Sequence, residues 1–170
     1  MTFILSSATN DLAIDLESVT ILKNSSNNIA ITAGTVVPWG SSVQEYGTDS
    51  YSVSSGVITL SSGYYYLIKS ALSVYTSMGN LDASTTSYQF YDTNASAYVG
   101  RRGWIAFQRS PKLTGGDEYA IALIDASSSV RTIDLRILSV SVSGMHLDDT
   151  TDSGQYVFAG YSRCEIYKWS

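Results

Sequence analysis

The chain has 170 residues, a length at which one domain buries roughly 70 % of the surface that its unfolded chain exposes, so a single core is expected. Only 15 % of the residues are charged, against about 25 % in average soluble domains, and the formal net charge is −5. This balance argues against partners that are bound through their phosphates, so neither nucleic acid nor an anionic membrane is expected as a partner.

The N-terminal residues and the cysteine content predict a soluble protein made in a cytoplasm. Residues 1–8 lack the basic region and the apolar run of a secretory signal. No stretch approaches the roughly 18 apolar residues of a membrane-spanning helix. Cys164 is the single cysteine, so it has no partner for an internal disulfide. No cofactor is expected.

Hydrophobic alternation places strands along most of the chain. The first segment, Asp11–Leu22, is ambiguous, because Leu12, Ile14 and Leu16 alternate as in a strand, whereas Leu12, Leu16 and Val19 share one helical face. We favour the strand. Pro38 restricts the predicted strand Thr35–Trp39 to a sheet edge or a strand end. In chain order, the predicted strands are Val19–Lys23, Asn28–Thr32, Thr35–Trp39, Ser50–Val53, Val57–Leu60, Gly63–Tyr75, Thr85–Asp92, Tyr98–Phe107, Glu118–Asp125, Arg131–Ser143 and Tyr156–Trp169.

The connections between these strands contain the residues that turns require. The sequences SSG (twice), SMGN, TGGD and SGMHLDD all separate predicted strands. Short strands at roughly even spacing with such turns are typical of antiparallel sandwiches and jelly rolls. The predicted fold class is therefore all-β, an antiparallel jelly-roll sandwich.

The segment Thr132–Val142 changes its alternation part of the way along. Ile133, Leu135 and Ile137 share one parity, and the apolar residues that follow Leu138 have the other. A strand with a period of two residues changes parity only through a bulge or through a change in the buried face. We predict one of these two irregularities near Leu138.

The alternation of side chains along a strand places the three consecutive tyrosines of Gly63–Tyr75 on two opposite faces. One face collects a core stripe of Tyr64, Tyr66, Ile68, Leu72 and Val74. The opposite face, with Tyr65, Leu67, Lys69 and Tyr75, is too aromatic for a solvated surface and too polar for a second core. Because tyrosine is common at protein interfaces, we predict that part of this face contacts another subunit. The alternative is a strand that packs under an overlying loop.

Three motifs in order along the chain resemble C1q/TNF-like jelly rolls. The run GVITLSSGYYYL, Gly56–Leu67, is similar to the family pattern of a strand, a Gly-x-Tyr turn and a central strand. The runs YQFYDTNASAYVG, Tyr88–Gly100, and YVFAGYSRCEIYKW, Tyr156–Trp169, resemble the version found in structural proteins of tailed bacteriophages. The resemblance covers roughly Val43–Trp169. It departs from the animal members at Leu67, where those usually carry Phe.

The resemblance implies a non-enzymatic homotrimer on the surface of a phage virion. The first hypothesis is a capsid decoration or cement protein that binds the major capsid protein, and the alternative is a tail-fibre head that recognises a host-surface glycan or protein. Residues 1–40 are expected to form an N-terminal arm with the first strands, which would anchor the trimer, and residues 41–170 the jelly roll. The residues expected at the subunit contact are Tyr65, Leu67, Tyr75, Tyr119 and Tyr161.

A second candidate surface lies in Gly100–Lys112, which contains four of the ten basic residues. Basic residues interleaved with aromatic rings bind single-stranded nucleic acid or anionic glycans in other proteins. Because the chain is acidic overall, we expect pairing across the subunit interface, with acids such as Asp117 and Glu118, ahead of capsid docking or ligand binding. The residues of this surface are Arg101, Arg102, Trp104, Arg109 and Lys112.

Catalytic and metal sites are weakly indicated. His146, the only histidine, precedes an acidic turn, but no Gly-x-Ser-x-Gly motif accompanies it, so a solvated loop histidine is expected. Asp148, Asp149 and Asp152 are a weak Ca²⁺ candidate, because their spacing differs from that of an EF-hand loop. A carbohydrate-active enzyme with paired carboxylates is a third, least favoured function.

Overall fold

The computed structural model describes residues 2–7, 10–24, 29–48, 50–76, 83–108, 115–147 and 162–170, and these form strands and turns without a helix. Among these residues there is accordingly no candidate for a membrane-spanning helix. The strands are β1 (Thr2–Ser7), β2 (Asn10–Asn24), β3 (Ile29–Ala30), β4 (Trp39–Gly47), β5 (Tyr51–Ser54), β6 (Val57–Leu60), β7 (Tyr64–Ala71), β8 (Val74–Thr76), β9 (Ala83–Asp92), β10 (Ala97–Gln108), β11 (Gly115–Glu118), β12 (Ala120–Ala126), β13 (Arg131–Val140), β14 (Met145–Leu147) and β15 (Arg163–Trp169).

Most strands belong to one curled antiparallel sheet in the order β1-β2-β15-β7-β12-β10-β9-β13-β6-β5, in which β4 also pairs with β2 and β11 with β10. We call β4, β2, β15, β7 and β12 the front sheet, and β10, β9, β13, β6 and β5 the back sheet. A smaller sheet has the order β3-β14-β8. This arrangement confirms the prediction of an all-β antiparallel jelly roll.

The two halves share one hydrophobic core, to which each strand contributes alternate side chains. Tyr66 and Ile68 of the front sheet and Phe90 and Leu135 of the back sheet are all buried in it. The Tyr66 hydroxyl donates to the backbone oxygens of Ser50 and Ser61, at 3.0 and 3.1 Å. A phenol that is buried with its hydroxyl satisfied keeps its apolar contribution without the cost of an orphaned polar group.

Strand β10 forms the corner between the sheets. Its register with β9 shifts between Val99 and Gly103, and Arg101 within this interval pairs with Ile121 of β12. Gly100 adopts φ +70°, and a Cβ atom at this position would lie 2.1 Å from the Ile121 carbonyl oxygen. The close approach of β10 and β12 at the corner therefore depends on a glycine.

The first forty residues contribute to both the sheet and the core. Strand β2 pairs with β15 from Leu16 to Lys23, and Ile31, Val37 and Trp39 are buried in the core. The jelly-roll core thus draws on both sides of residue 40. Residues 10–15 of β2 pair only with β1 among the described strands, so the β1/β2 hairpin extends past the β2 residues that pair with β15 and β4.

Two of the sequence predictions for individual strands are confirmed. Asp11–Leu22 lies within β2 and is a strand. The irregularity near Leu138 is a register shift between Ile137 and Ser139, where β13 pairs with β9. Before the bulge, Ile133, Leu135 and Ile137 are buried in the core. After it, β13 continues along β9 and Val140, with the opposite parity, packs against the core.

The predicted single strand Gly63–Tyr75 is wrong in its length. It divides into β7 and β8, because the Ser162 hydroxyl takes the place of a ladder partner at Ser73. Ser73 N–H donates to Ser162 Oγ at 2.9 Å, and that hydroxyl donates to the Ser73 carbonyl oxygen at 3.2 Å. Strand β8 consequently joins the small sheet, where Tyr75 pairs with His146.

Two further predictions of local structure are corrected, and one strand, β4, was not predicted. Thr35–Trp39 forms only an isolated bridge, between Val36 and Arg136, and β4 follows it without having been predicted. His146 was expected in a solvated loop. It lies instead in β14, between Tyr75 and Ala30 in the small sheet, and is half-buried.

Candidate assembly surface

The outward face of the front sheet, here called the front face, carries an uninterrupted apolar row. Five residues face one another in register from β12 to β4, which at about 4.8 Å per strand spans roughly 19 Å. Such a contiguous apolar stripe on a surface marks a site of association more often than it serves a free monomer. We call this set the apolar row: Leu123, Leu67, Tyr167, Val19 and Tyr46.

Both ends of the apolar row are open to solvent. Leu123 exposes 66 % of its surface and Tyr46 exposes 59 %. Leu67, Val19 and Tyr167, which lie between them, are half-buried. The row arises because Ala120, Ala122 and Ile124 turn inward on β12, which leaves Leu123 on the opposite face.

An aromatic pair extends the front face on one side of the row. Tyr65 on β7 lies opposite Trp169 on β15, and Tyr65 is 38 % exposed. On its other side, Tyr65 lies opposite Asp125 on β12. This edge of the front face combines flat rings with hydrogen-bonding tips, which is the chemistry of many protein interfaces.

A compact ionic cluster occupies the other side of the row, centred on Glu165. This carboxylate is 3.5 Å from Lys69 Nζ and 3.1 Å from Arg163 Nε, and it accepts a hydrogen bond of 2.8 Å from the Tyr167 hydroxyl. Lys69 Nζ also lies 4.0 Å from the centre of the Tyr119 ring. Glu165 is nearly buried, so the two neighbouring cations and the Tyr167 hydroxyl compensate for the loss of its hydration.

Burial and the hydrogen bond to Glu165 keep Tyr167 in its neutral, donating form. Burial, followed by the hydrogen bond to Glu165, raises the pKa of Tyr167 to about 12. The phenol therefore remains protonated throughout the physiological range. Glu165 and Tyr167 act here as a fixed hydrogen-bonded pair that positions the middle of the apolar row.

The structure brings together three of the five residues predicted at a subunit contact. Tyr65, Leu67 and Tyr119 belong to the front sheet or its immediate edge. Tyr75 belongs to β8 in the small sheet instead, because of the strand break at Ser73. Tyr161 lies outside the described residues.

Sequence reasoning missed five members of this surface. They are Leu123, Val19, Tyr46, Tyr167 and Trp169. For Leu123 the signal was present, since the alternation of small or aliphatic residues along β12 leaves it with the parity of the charged Asp125. Tyr46 carried no such signal, because its strand was not predicted.

The basic segment lies partly at the corner of the fold. Arg101, Arg102 and Trp104 are exposed on β10, whereas Arg109 and Lys112 lie outside the described residues. Arg101 Nη2 is 3.5 Å from Glu118 of the same chain. One of the acids expected across the interface is therefore engaged within the chain, in an exposed pair that contributes little to stability.

The groups that could carry chemistry are the Cys164 thiol and clusters of possible metal ligands. Cys164 is fully buried, and burial raises the pKa of its thiol well above its ordinary value, which disfavours the nucleophilic thiolate. Within the described ranges, no three His, Cys, Asp or Glu side chains are grouped so that they could hold a metal ion. Asp148, Asp149 and Asp152 lie outside those ranges.

Comparison with solved structures supports the fold. Murine APRIL at pH 8.5 is 12 % identical, with a TM-score of 0.52 over 89 % of this chain and 98 % of that one. Eiger TNF from S. frugiperda is 11 % identical, with a TM-score of 0.47 over 89 % and 92 % of the two chains. A zebrafish complement 1qA globular domain is 10 % identical, with a TM-score of 0.43 over 91 % and 96 %.

The likeness to the APRIL structures identifies the fold as a C1q/TNF-like jelly roll. At the level of sequence, no family model matches the chain, and no curated protein is significantly similar to it. The likeness is therefore one of architecture.

Proposed function

We propose that this protein is a non-enzymatic homotrimeric structural protein of a tailed-phage virion, and that it binds the outer capsid surface as a decoration protein. The apolar row carries the proposal, because its five side chains lie in register across five strands, with both ends exposed and the middle half-buried, and they gain most when another surface covers them. The likeness to C1q/TNF-like jelly rolls supports self-association through a sheet face.

The front face has the composition of an interface between identical subunits. Its centre is aliphatic and aromatic, and its charges are gathered to one side around Glu165. Most of these charges are already paired within the chain, so association need not leave an uncompensated ion. A closed ring of three copies would cover every apolar row and leave no open edge for further growth.

The phage assignment rests on the sequence motifs. The runs Tyr88–Gly100 and Tyr156–Trp169 resemble structural proteins of tailed bacteriophages. In this proposal the β1/β2 hairpin contacts the capsid, because it extends past the residues of β2 that pair with β15 and β4. The major capsid protein is the proposed partner.

The capsid proposal is tested by adding purified protein to capsids that lack it. Saturable binding is expected, and deletion of residues 1–9, which removes β1, should abolish it while the protein remains a trimer in solution. The matched control is Val130→Ser, which alters an exposed residue in the turn before β13 and should bind normally. Binding to bacterial cells but not to capsids would reject decoration in favour of the fibre-head alternative.

A further inference from the structure

The outward face of the back sheet carries a second organised cluster, remote from the apolar row. Tyr91 on β9 lies opposite Asp134 on β13 on one side and Tyr98 on β10 on the other. The rings of Tyr91 and Tyr98 are 5.1 Å apart and inclined by 74°. The Arg136 guanidinium carbon lies 3.5 Å from the centre of the Tyr91 ring.

The Arg136 guanidinium is held in a fixed orientation. Its Nε and Nη2 atoms donate to the two carboxylate oxygens of Asp134, at 2.7 and 2.8 Å. The Asp134 side chain is 3 % exposed and that of Arg136 is 27 % exposed. A bidentate pair of this kind locks the plane of the guanidinium and leaves its remaining N–H groups directed away from the carboxylate.

An exposed aromatic ring lies beside this fixed donor group. Tyr98 is 48 % exposed, although its ring contacts Tyr91. The amide nitrogen of Gln89 donates to the Gly100 carbonyl oxygen at 2.8 Å, which fixes the amide on the same face and leaves its oxygen as an acceptor. The cluster thus presents a flat ring, planar donors and an acceptor that are all positioned before any ligand arrives.

The charge of the cluster indicates which ligand would fit. Asp134 neutralises Arg136, so the cluster has no net charge with which to attract an anionic polymer. Around it the back sheet is rich in hydroxyl groups, including exposed Ser52 and Ser54. Sugar rings offer apolar C–H faces that stack on aromatic rings and hydroxyls that bond to planar donors, and sites of this kind combine aromatic rings with a few placed polar groups.

We propose that Tyr98, Tyr91 and Arg136 form a binding subsite for a neutral sugar unit of a glycan. Tyr98 provides the stacking surface, Arg136 donates hydrogen bonds to sugar hydroxyls, and Tyr91 with Asp134 positions the guanidinium. The subsite lies on the sheet opposite to the front face, so it stays accessible when the front faces associate. It goes beyond the capsid-binding role and does not depend on it.

The proposal is tested by affinity electrophoresis of the full chain in native gels that contain dextran, mannan or arabinogalactan. Heparin serves as the anionic probe and bovine serum albumin as the reference protein. At least one neutral polysaccharide should retard the wild type, and Tyr98→Ala should weaken that binding about tenfold. Arg136→Lys, which keeps the charge but loses the planar fork, should weaken it several-fold.

The control variant is Val130→Ser, which alters an exposed apolar residue in the turn before β13 and should leave the retardation unchanged. A thermal melt of each variant separates loss of binding from loss of fold. Three results overturn the proposal: no retardation of the wild type by any neutral polysaccharide, retardation that survives Tyr98→Ala, or retardation by heparin alone that is lost in Arg101→Ala/Arg102→Ala.

Discussion

Gly100 shows how a single position sets the corner between the two sheets. Both its positive φ and the clash that a Cβ atom would make with the Ile121 carbonyl oxygen disfavour every residue other than glycine at this position. Gly100→Ala should lower the free energy of unfolding by roughly 2–5 kcal/mol, since strained backbone and overpacking each cost a few kcal/mol. Urea unfolding followed by circular dichroism measures this difference.

Gly63→Ala is the matched control for this substitution. Gly63 also has a positive φ, of +95°, but a Cβ atom there meets nothing within 4 Å. Gly63→Ala should therefore lower the free energy of unfolding by only about 1 kcal/mol, from the backbone conformation alone. Equal losses in the two variants would show that the close approach at the corner is unimportant.

Lys168 is a buried cation that fixes the end of β15. Its Nζ atom donates to the Thr48 carbonyl oxygen and to Ser50 Oγ, both at 3.0 Å, and lies 3.2 Å from Glu17 Oε2. A hydrogen bond from Ser170, followed by the interaction with Lys168, lowers the pKa of Glu17 below its usual 4.5. Because the folded pKa is the lower one, this stabilisation is present above pH 4.5 and is lost as the pH falls through the folded value.

Glu17→Gln should therefore reduce stability at pH 7 and flatten the acid limb of the stability curve between pH 5 and 3, a range of about two units around the usual pKa. Guanidinium unfolding across this range is the measurement. Glu118→Gln serves as the control, because its exposed pair with Arg101 contributes little at any pH. An unchanged acid limb in Glu17→Gln would contradict the assignment.

At the scale of elements, the break between β7 and β8 depends on one distant hydroxyl. Ser162 is fully buried and bonds to both the N–H and the carbonyl oxygen of Ser73. Ser162→Ala should cost about 1–3 kcal/mol, because it leaves the half-buried N–H and carbonyl oxygen of Ser73 without this partner. Ser54→Ala, on an exposed position of β5, should change stability by less than about 0.5 kcal/mol in the same thermal melts.

The elements that sequence reasoning predicted are those whose local pattern agrees with their environment. Strand β2 and the bulge in β13 are visible in the parity of their apolar residues. Strand β4, with the sequence WGSSVQEYG, lacks a β-branched alternation and becomes a strand because β2 pairs with it. The break at Ser73 is set by a residue 89 positions away, which a local pattern does not contain.

The same limit explains which parts of the candidate surface were predicted. Tyr65 and Leu67 were placed by the parity of one strand. The apolar row as a whole is a property of register between five strands, and register depends on bulges such as the shift between Ile21 and Leu22 where β2 pairs with β4. A surface assembled across strands is therefore visible only once the pairing is known.

At the scale of the whole molecule, the two sheets present faces of different character. The front face is apolar with a paired ionic cluster on one side, and the back face is hydroxyl-rich with a neutral aromatic and guanidinium cluster. This division suits a protein that associates with its own copies through one sheet and meets other molecules through the rest of its surface.

Leu123→Glu should separate the subunits without unfolding them. The side chain is 66 % exposed in the single chain, so the substitution costs little in the monomer, whereas a carboxylate buried in an interface costs several kcal/mol. Sedimentation velocity should show a shift to monomer. Val130→Glu, which alters an exposed apolar residue in the turn before β13, should leave the mass unchanged.

The molar mass of the wild-type chain in solution tests the central claim most directly. Light scattering coupled to size-exclusion chromatography at micromolar concentration should give three times the 18.4 kDa mass of the single chain. A stable species of 18.4 kDa that persists as the concentration rises would contradict the account, because the apolar row would then remain exposed to water.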